Sequence, residues 1–223
     1  MITFHLNLLQ KGYNIMPLSK TSKLSGIKSW SLQAGTTCPG SIGADACRGC
    51  YALSGNYRYP NVKDIRAKNK EEWKNESWVN DMIVQLQNER YFRWFDSGDI
   101  YRLQLANKIF QIIKDTPHCQ HWIPTRMYKF KKYKYILDKI NSLPNAVVRF
   151  SSDSINGEYV QGVHGSVIIP PNKILETKAS VCESYRTGTC GTCRKCYSKD
   201  IQTIAYIAHG KSMLKLLKLD GII

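Results

Sequence analysis

Seven of the chain's eight cysteines fall into two groups whose spacing suits metal ligation. The first runs Cys38-Pro-Gly-Ser-Ile-Gly-Ala-Asp-Ala-Cys47-Arg-Gly-Cys50, a Gly-containing loop of the form Cys-x8-Cys-x2-Cys. Three thiolates leave a metal or cluster one ligand short. An incompletely ligated metal can bind and activate something, whereas a fully ligated one is usually structural or carries electrons. Packing is the ordinary fate of a cysteine, but three so close in a loop are poor core material. The second group, Cys182-x7-Cys190-Gly-Thr-Cys193-Arg-Lys-Cys196, ends in the Cys-x2-Cys-x2-Cys spacing that wraps a cubane cluster. Zinc, which more often pairs two Cys-x2-Cys knuckles across a longer gap, is the alternative metal. The expected ligands are therefore Cys38, Cys47, Cys50, Cys182, Cys190, Cys193 and Cys196, serving one [4Fe-4S] cluster or two. Cys119, beside His118 and His121, reads as a core residue, with completion of a cluster as its other use. His209 has no partner in view and receives no role.

Ligands on loops need elements to position them. A strand over Lys28–Ala34 leads into the first cysteine loop. Helical spacing covers 61–90, through Ile65, Trp78, Met82, Ile83 and Leu86, with a break near Asn75. A strand over Tyr91–Phe95 follows. The next helix, Ile100–Asp115, gathers Leu105, Ile109, Ile112 and Ile113 on one face. Then come a strand over Gln120–Pro124, a basic aromatic helix over Lys129–Ser142, strands over Ala146–Phe150 and Val163–Ile169, and a last helix over Ile201–Leu219. This alternation marks a parallel sheet. The expected fold is α/β, a partial (TIM-like) βα barrel, with an open doubly wound sheet as the other arrangement. Residues 1–27 read as an N-terminal extension and 28–223 as one domain carrying the cysteine cluster at 182–196.

In both arrangements ligands collect at the C-terminal ends of the strands. The polar residues fall there: Asp96, Ser97 and Asp99 after the second strand, Thr125 and Arg126 after the third, and Ser151, Ser152 and Asp153 after the fourth. The pattern predicts a pocket over one sheet edge with the cysteine loop as a wall. Asp96 and Asp99 are candidate acid/base residues, and Asp99 also suits the N-cap of the following helix. Arg126 suits a carboxylate or phosphate.

Lys and Arg number 32 against 17 Asp and Glu, a formal net charge of +15. That balance suits a polyanionic partner, and equally a lysine-rich solvated surface. The run from Arg126 to Tyr135 interleaves basic and aromatic residues, as nucleic-acid surfaces do and as a helix with one wet face does. No apolar run is long enough to span a membrane. The first sixteen residues lack the basic start and small-residue cleavage site of a signal peptide. Cysteine-rich and without an export signal, the chain is expected in a reducing cytoplasm.

A three-cysteine loop after the first strand of a βα barrel resembles the radical S-adenosylmethionine enzymes. That resemblance implies a [4Fe-4S] cluster on Cys38, Cys47 and Cys50 whose open iron chelates the cofactor's methionine. Ser97-Gly98-Asp99 stands where the family's Gly-Gly-Glu meets the cofactor amine, and Ser151-Ser152-Asp153 where polar residues meet the ribose. Ser97, Gly98, Asp99, Arg126, Ser152 and Asp153 are on this reading the cofactor-binding set, and the C-terminal cysteines resemble an auxiliary cluster. The loop is five residues longer than the family's Cys-x3-Cys-x2-Cys, and Tyr51 follows the last cysteine instead of preceding it.

In Ala34-Gly35-x2-Cys38-Pro39-Gly40, Cys50-Tyr51-Ala52, Asp96-Ser97-Gly98-Asp99 and the C-terminal Cys-x2-Cys-x2-Cys, the chain also resembles a family of small phage-borne proteins, the gene eighty-eight family. This resemblance covers roughly residues 20–210 and implies viral origin, a host-cytoplasmic location and iron–sulfur chemistry. The expected function is an iron–sulfur protein of radical-enzyme architecture. Its substrate is an unknown small molecule or nucleic acid, and ferredoxin or flavodoxin is its reductant if it is catalytic. The alternative is a non-catalytic iron–sulfur or zinc protein that binds nucleic acid through its basic face. A third reading is an Asp nucleophile acting on nucleobases in a barrel, with metal only structural.

Overall fold

Most strands of this protein lie beside their predecessors in the chain. The computed structural model describes residues 18–223. Its strands are β1 (Ser19–Lys20), β2 (Lys28–Trp30), β3 (Tyr91–Trp94), β4 (Gln120–Thr125), β5 (Ala146–Ser151), β6 (Gly165–Ile169), β7 (Ser180–Val181) and β8 (Thr203–Ile207). They form one sheet in the order β1-β2-β3-β4-β5-β6-β8-β7. Only the β1–β2 pair is antiparallel. The α-helices are α1 (Asp45–Arg48), α2 (Pro60–Glu72), α3 (Trp78–Leu86), α4 (Leu103–Asp115), α5 (Lys134–Ser142), α6 (Ser184–Thr187) and α7 (Lys211–Leu219). Crossovers of one hand between strands laid down in chain order put their helices on one face, and α3, α4 and α5 touch in succession. The sheet is open, with β1 and β7 at its edges.

Side chains alternate along each strand, so the two faces differ. Phe92, Trp94, Ile123, Ala146 and Val148 join Ile109, Ile113, Leu137 and Ile140 in the main core under the helices. Trp30 packs edge-on against Trp78, Trp94 and Phe95 there. His121 belongs to this side: Trp94 Nε1 donates to its Nδ1 (3.2 Å), and Thr116 Oγ1 lies 2.9 Å from its Nε2. Burial pushes its pKa down to about 3. Cys119 is fully buried in the same core, as its core reading requires. The alternate strand residues Arg93, Trp122 and Arg149 face the other side, which is covered by Leu24, Ile27 and the segment around Cys190–Tyr197.

Several elements differ from the sequence expectation. The first strand ends at Trp30 instead of Ala34, because Ser31 leaves the ladder and its Oγ accepts the backbone N–H of Asp96 (2.9 Å). The helix expected over 61–90 breaks between Glu72 and Trp78, at the place Asn75 suggested. The last helix is half strand: Thr203–Ile207 is β8, buried between β6 and β7, and α7 starts only after Gly210 at φ 82°. An apolar run of five residues carries no periodicity that separates strand from helix. His209 consequently sits in the turn between them, its Nδ1 against the Ile207 carbonyl. Of the expected extension, residues 1–17 lie outside the described residues, while Ser19–Lys20 pair with β2 and Leu24 and Ile27 are buried. Among the described residues no helix is long and apolar enough to cross a membrane.

Candidate functional site

Because β2 to β6 are parallel, their C-terminal ends share one edge, and the first cysteine loop lies across it. Ala46 N donates to the Asp153 carbonyl (2.9 Å) beyond β5. Tyr51 Oη donates to the Asp96 carbonyl (2.7 Å) beyond β3. Lys129 Nζ, beyond β4, donates to the carbonyls of Gly40 (3.2 Å) and Ile42 (2.9 Å) and to the Asp153 carboxylate (2.5 Å). Two glycines allow the close approach. A Cβ on Gly40 would stand 2.6 Å from the Arg126 Cβ, and one on Gly98 would stand 2.6 Å from the Leu32 Cβ with φ already at 77°. Arg48 pairs with Asp220, just past the end of α7, through two hydrogen bonds, and Ala46 joins Met213, Leu216 and Leu217 in a small core.

The polar strand ends are knit to one another. Asp99 is buried and accepts from Ile100 N (2.7 Å), Thr125 Oγ1 (2.6 Å) and Arg126 N (2.8 Å), which ties β3 to β4. Burial raises its pKa, against the pull of those three bonds. Its role as a helix N-cap is overturned: α4 begins at Leu103, with Arg102 as its N-cap residue. Asp96 sits between two arginines, Arg66 (3.4 Å) and Arg93 (3.3 Å), and accepts from Tyr57 Oη (2.8 Å). Ser97 Oγ accepts from Arg66 Nε (2.6 Å) and donates to the Leu32 carbonyl (2.7 Å). Arg126 reaches Asp153 (3.1 Å) and the Ser152 carbonyl (2.7 Å), and Ser152 Oγ donates to Glu158 and accepts from Ser154 N (3.1 Å). Phe95, at φ 55°, takes a left-handed conformation that costs a bulky residue on the order of 1–2 kcal/mol. It turns the chain from β3 into this lattice.

Cys38, Cys47 and Cys50 are free thiols, each part-buried, on the loop above these residues. They are near enough to sense one another electrostatically. Burial lifts Cys38 to about 11, opposed by a backbone hydrogen bond at Gly35, and lifts Cys47, opposed by Arg126. Both feel Asp99 and Cys50.

The C-terminal cysteines occupy the sheet face instead of its edge. Cys182 N pairs with the Ala205 carbonyl of β8 (2.8 Å), Cys190 N with the Lys23 carbonyl (2.8 Å), and Cys193 N with the Cys190 carbonyl (2.9 Å). Cys196 Sγ lies 3.4 Å from Tyr206 Oη. Cys190 and Cys196 pack against the cluster containing Trp122 and Tyr197. Burial raises Cys190 and lifts Cys196 to about 11, and Cys182 acts electrostatically on both. Arg149 organises the turn: fully buried, it donates to the carbonyls of Lys195, Cys196, Ser198, Ile201 and Gln202 at 2.8–3.3 Å.

Among the described residues no three His, Cys, Asp or Glu side chains stand ready to hold a single metal ion. A metal at either group therefore draws the thiols inward or belongs to a cluster, whose thiolates are spread around several metal atoms. The donor chemistry fits such a group: free sulfurs, part-buried except at the exposed Cys193, and none in a disulfide. The basic run splits. Arg126 is spent on Asp153 and the Ser152 carbonyl and Lys129 on the loop, Met127 and Tyr133 are buried, and Lys131, Lys132 and Lys134 face solvent. A cavity of about 190 Å³ lies away from the strand-end lattice, lined by Asp138, Asn141, His164 and Gln202 among others.

The sequence reading missed Arg66, Arg93, Lys129 and Arg149. For Arg93 and Arg149 a signal existed, since each is a lone charge inside an otherwise apolar strand. Lys129 is hidden in a run of lysines. A family model described as Gene product 88 matches residues 7–199, so the chain belongs to that family. No curated protein and no solved structure matches it.

Proposed function

We propose that this member of the gene product 88 family is a phage-type iron–sulfur protein whose first centre is held by Cys38, Cys47 and Cys50 with one metal position left open to a small ligand. The observation that carries the reading is the loop itself: three free thiols fixed across the ends of β3, β4 and β5 by Lys129, Asp153 and Tyr51. A cluster bound there would supply one-electron chemistry at its open position. The chain's own residues set the surroundings. Asp99 joins the ends of β3 and β4 beneath the loop, Arg126 puts a positive charge near Cys47, and Lys129 holds the loop carbonyls. Strands in chain order, with helices in contact on one side, are consistent with a part-barrel that carries its ligand at this edge.

S-adenosylmethionine is the small ligand that the radical-enzyme resemblance names. Ser97, Asp99 and Ser152, the groups assigned to it, already hold bonds within the chain, so binding exchanges partners instead of filling free ones. Iron, sulfide and zinc analysis of anaerobically purified protein tests the reading. Brown protein with iron and matching sulfide, of which Cys47→Ala loses a share, supports it. A colourless, folded protein with stoichiometric zinc contradicts it.

The second reading, nucleic-acid binding, is favoured by the outward lysines Lys131, Lys132 and Lys134 and the net charge of +15. It is compatible with closed metal sites, and steeply salt-dependent affinity is its signature.

A further inference from the structure

Buried polar side-chain atoms nearly always have a hydrogen-bond partner, and each exception calls for a physical account. Three exceptions meet beside the C-terminal cysteines: Arg93 Nε, Trp122 Nε1 and Tyr197 Oη are buried and have no hydrogen-bond partner among the described residues. They belong to one contact group. The Arg93 guanidinium stacks 4.4 Å over the Trp122 ring, and Trp122 and Tyr197 rings meet edge-on at 5.8 Å. Cys190 and Cys196 pack against the same cluster. A buried donor left unpaired keeps the full cost of its lost hydration, so three together make an expensive arrangement unless an acceptor comes to them. An anionic acceptor suits this face: the buried Arg149 donates to backbone carbonyls and, among the described residues, pairs with no carboxylate.

The geometry points to a closed, anionic metal–thiolate centre on Cys182, Cys190, Cys193 and Cys196, separate from the strand-end loop, with Arg93, Trp122 and Tyr197 as hydrogen-bond donors to its sulfur. The assignment rests on the reading of the cysteines as metal ligands. Four thiolates fill the coordination of zinc or of a cubane, and in both cases the centre is negative and its sulfurs accept N–H and O–H. Arg93 is held for this task by its far end, which pairs with Asp96 at 3.3 Å. Donors to cluster sulfur shift a cluster's potential, and second-shell partners of a zinc site hold its ligands.

The test isolates this site in the full chain with Cys38, Cys47 and Cys50 replaced by Ser, or with Cys47→Ser alone if the triple variant does not fold. Metal and sulfide analysis then separates iron–sulfur from zinc. Retention of metal that is lost on Cys193→Ser and Cys196→Ser is the expected result. Trp122→Phe, Tyr197→Phe and Arg93→Lys each remove one donor and keep most of the side-chain bulk. In an iron–sulfur centre each shifts the midpoint potential to more negative values. In a zinc centre each speeds metal transfer to a chelator several-fold. An unchanged potential or transfer rate in all three overturns the donor assignment. If wild type holds iron and the isolated site holds no metal, the second centre is overturned and the first stands. If wild type holds neither iron nor zinc, the metal reading itself falls.

Discussion

The two cysteine groups sit in opposite polar environments. At the sheet edge, the first loop rests on groups that satisfy each other: Asp99 takes three donors, Asp96 two arginines, and Lys129 three acceptors. On the sheet face, the second group lies beside donors with no partner, and an arginine with no carboxylate, among the described residues. A parallel sheet explains the difference. Strand ends emerge together and their polar side chains can pair across strands, whereas a face buries whatever points into it. The edge is thus built to hold a loop still and leave its thiols available. The face leaves donors that the proposed anionic centre would meet.

The largest effect that sharpens this contrast is expected from Arg149→Met. It strips five carbonyls of the turn 195–202 of their donor, and should destabilise the chain by on the order of 4 kcal/mol. Denaturant unfolding measures the loss, and metal analysis should show the C-terminal share gone first. If instead the metal of both groups is lost in parallel, the groups are not independent.

Asp99→Asn comes next. Both carboxylate oxygens accept N–H or O–H donors, so an amide must aim its own NH2 at Ile100 N–H and Thr125 or at Arg126 N–H. A loss of about 2 kcal/mol follows, with faster metal release from the first loop and none from the C-terminal group. Equal release from the two groups contradicts a role confined to the edge.

How far the site was legible depends on what kind of contact carried it. The strand ends were readable, because polar residues after apolar runs fall on one edge whenever the strands are parallel. Asp96, Ser97, Asp99, Arg126, Ser152 and Asp153 all stand there. Their partners were not readable, since Arg66 and Tyr57 come from distant segments and nothing local marks the pairing. β8 was read as helix because Thr203–Ile207 is too short to show a period, and its strand character follows from pairing with β6 and β7. The covering of the second face by Leu24, Ile27 and Tyr197 is likewise a tertiary fact.

The helix-side core serves as a control, because it holds neither cysteine group. His121 has its pKa pushed down to about 3 by burial, while an unfolded histidine titrates near 6.5. Between those values the unfolded chain binds the extra proton. Stability therefore rises with pH across that window and falls as pH drops below about 6.5, by at most about 1.4 kcal/mol per unit. His121→Phe should flatten that part of the profile without altering metal content at either group. A slope that survives the substitution assigns the acid sensitivity elsewhere.

The smallest structural effect is expected from Lys131, Lys132 and Lys134 replaced together by Ser, since all three are exposed. Stability and metal content should stay as they are. If nucleic acid binds there, the slope of log affinity against log salt should flatten by about 2–3 units. An unchanged slope removes the basic face from the binding surface.

The contrast between an open edge centre and a closed face centre is tested most directly by electron paramagnetic resonance of the reduced protein, with and without S-adenosylmethionine. Variants lacking one cysteine group or the other identify each signal. The account predicts that the signal lost with Cys38, Cys47 and Cys50 changes when the small molecule is added, with 5′-deoxyadenosine formed if the ligand is cleaved, and that a C-terminal centre gives a second, unresponsive signal if it is iron–sulfur and no signal if it is zinc. A response from the C-terminal signal, or none from either, would contradict it.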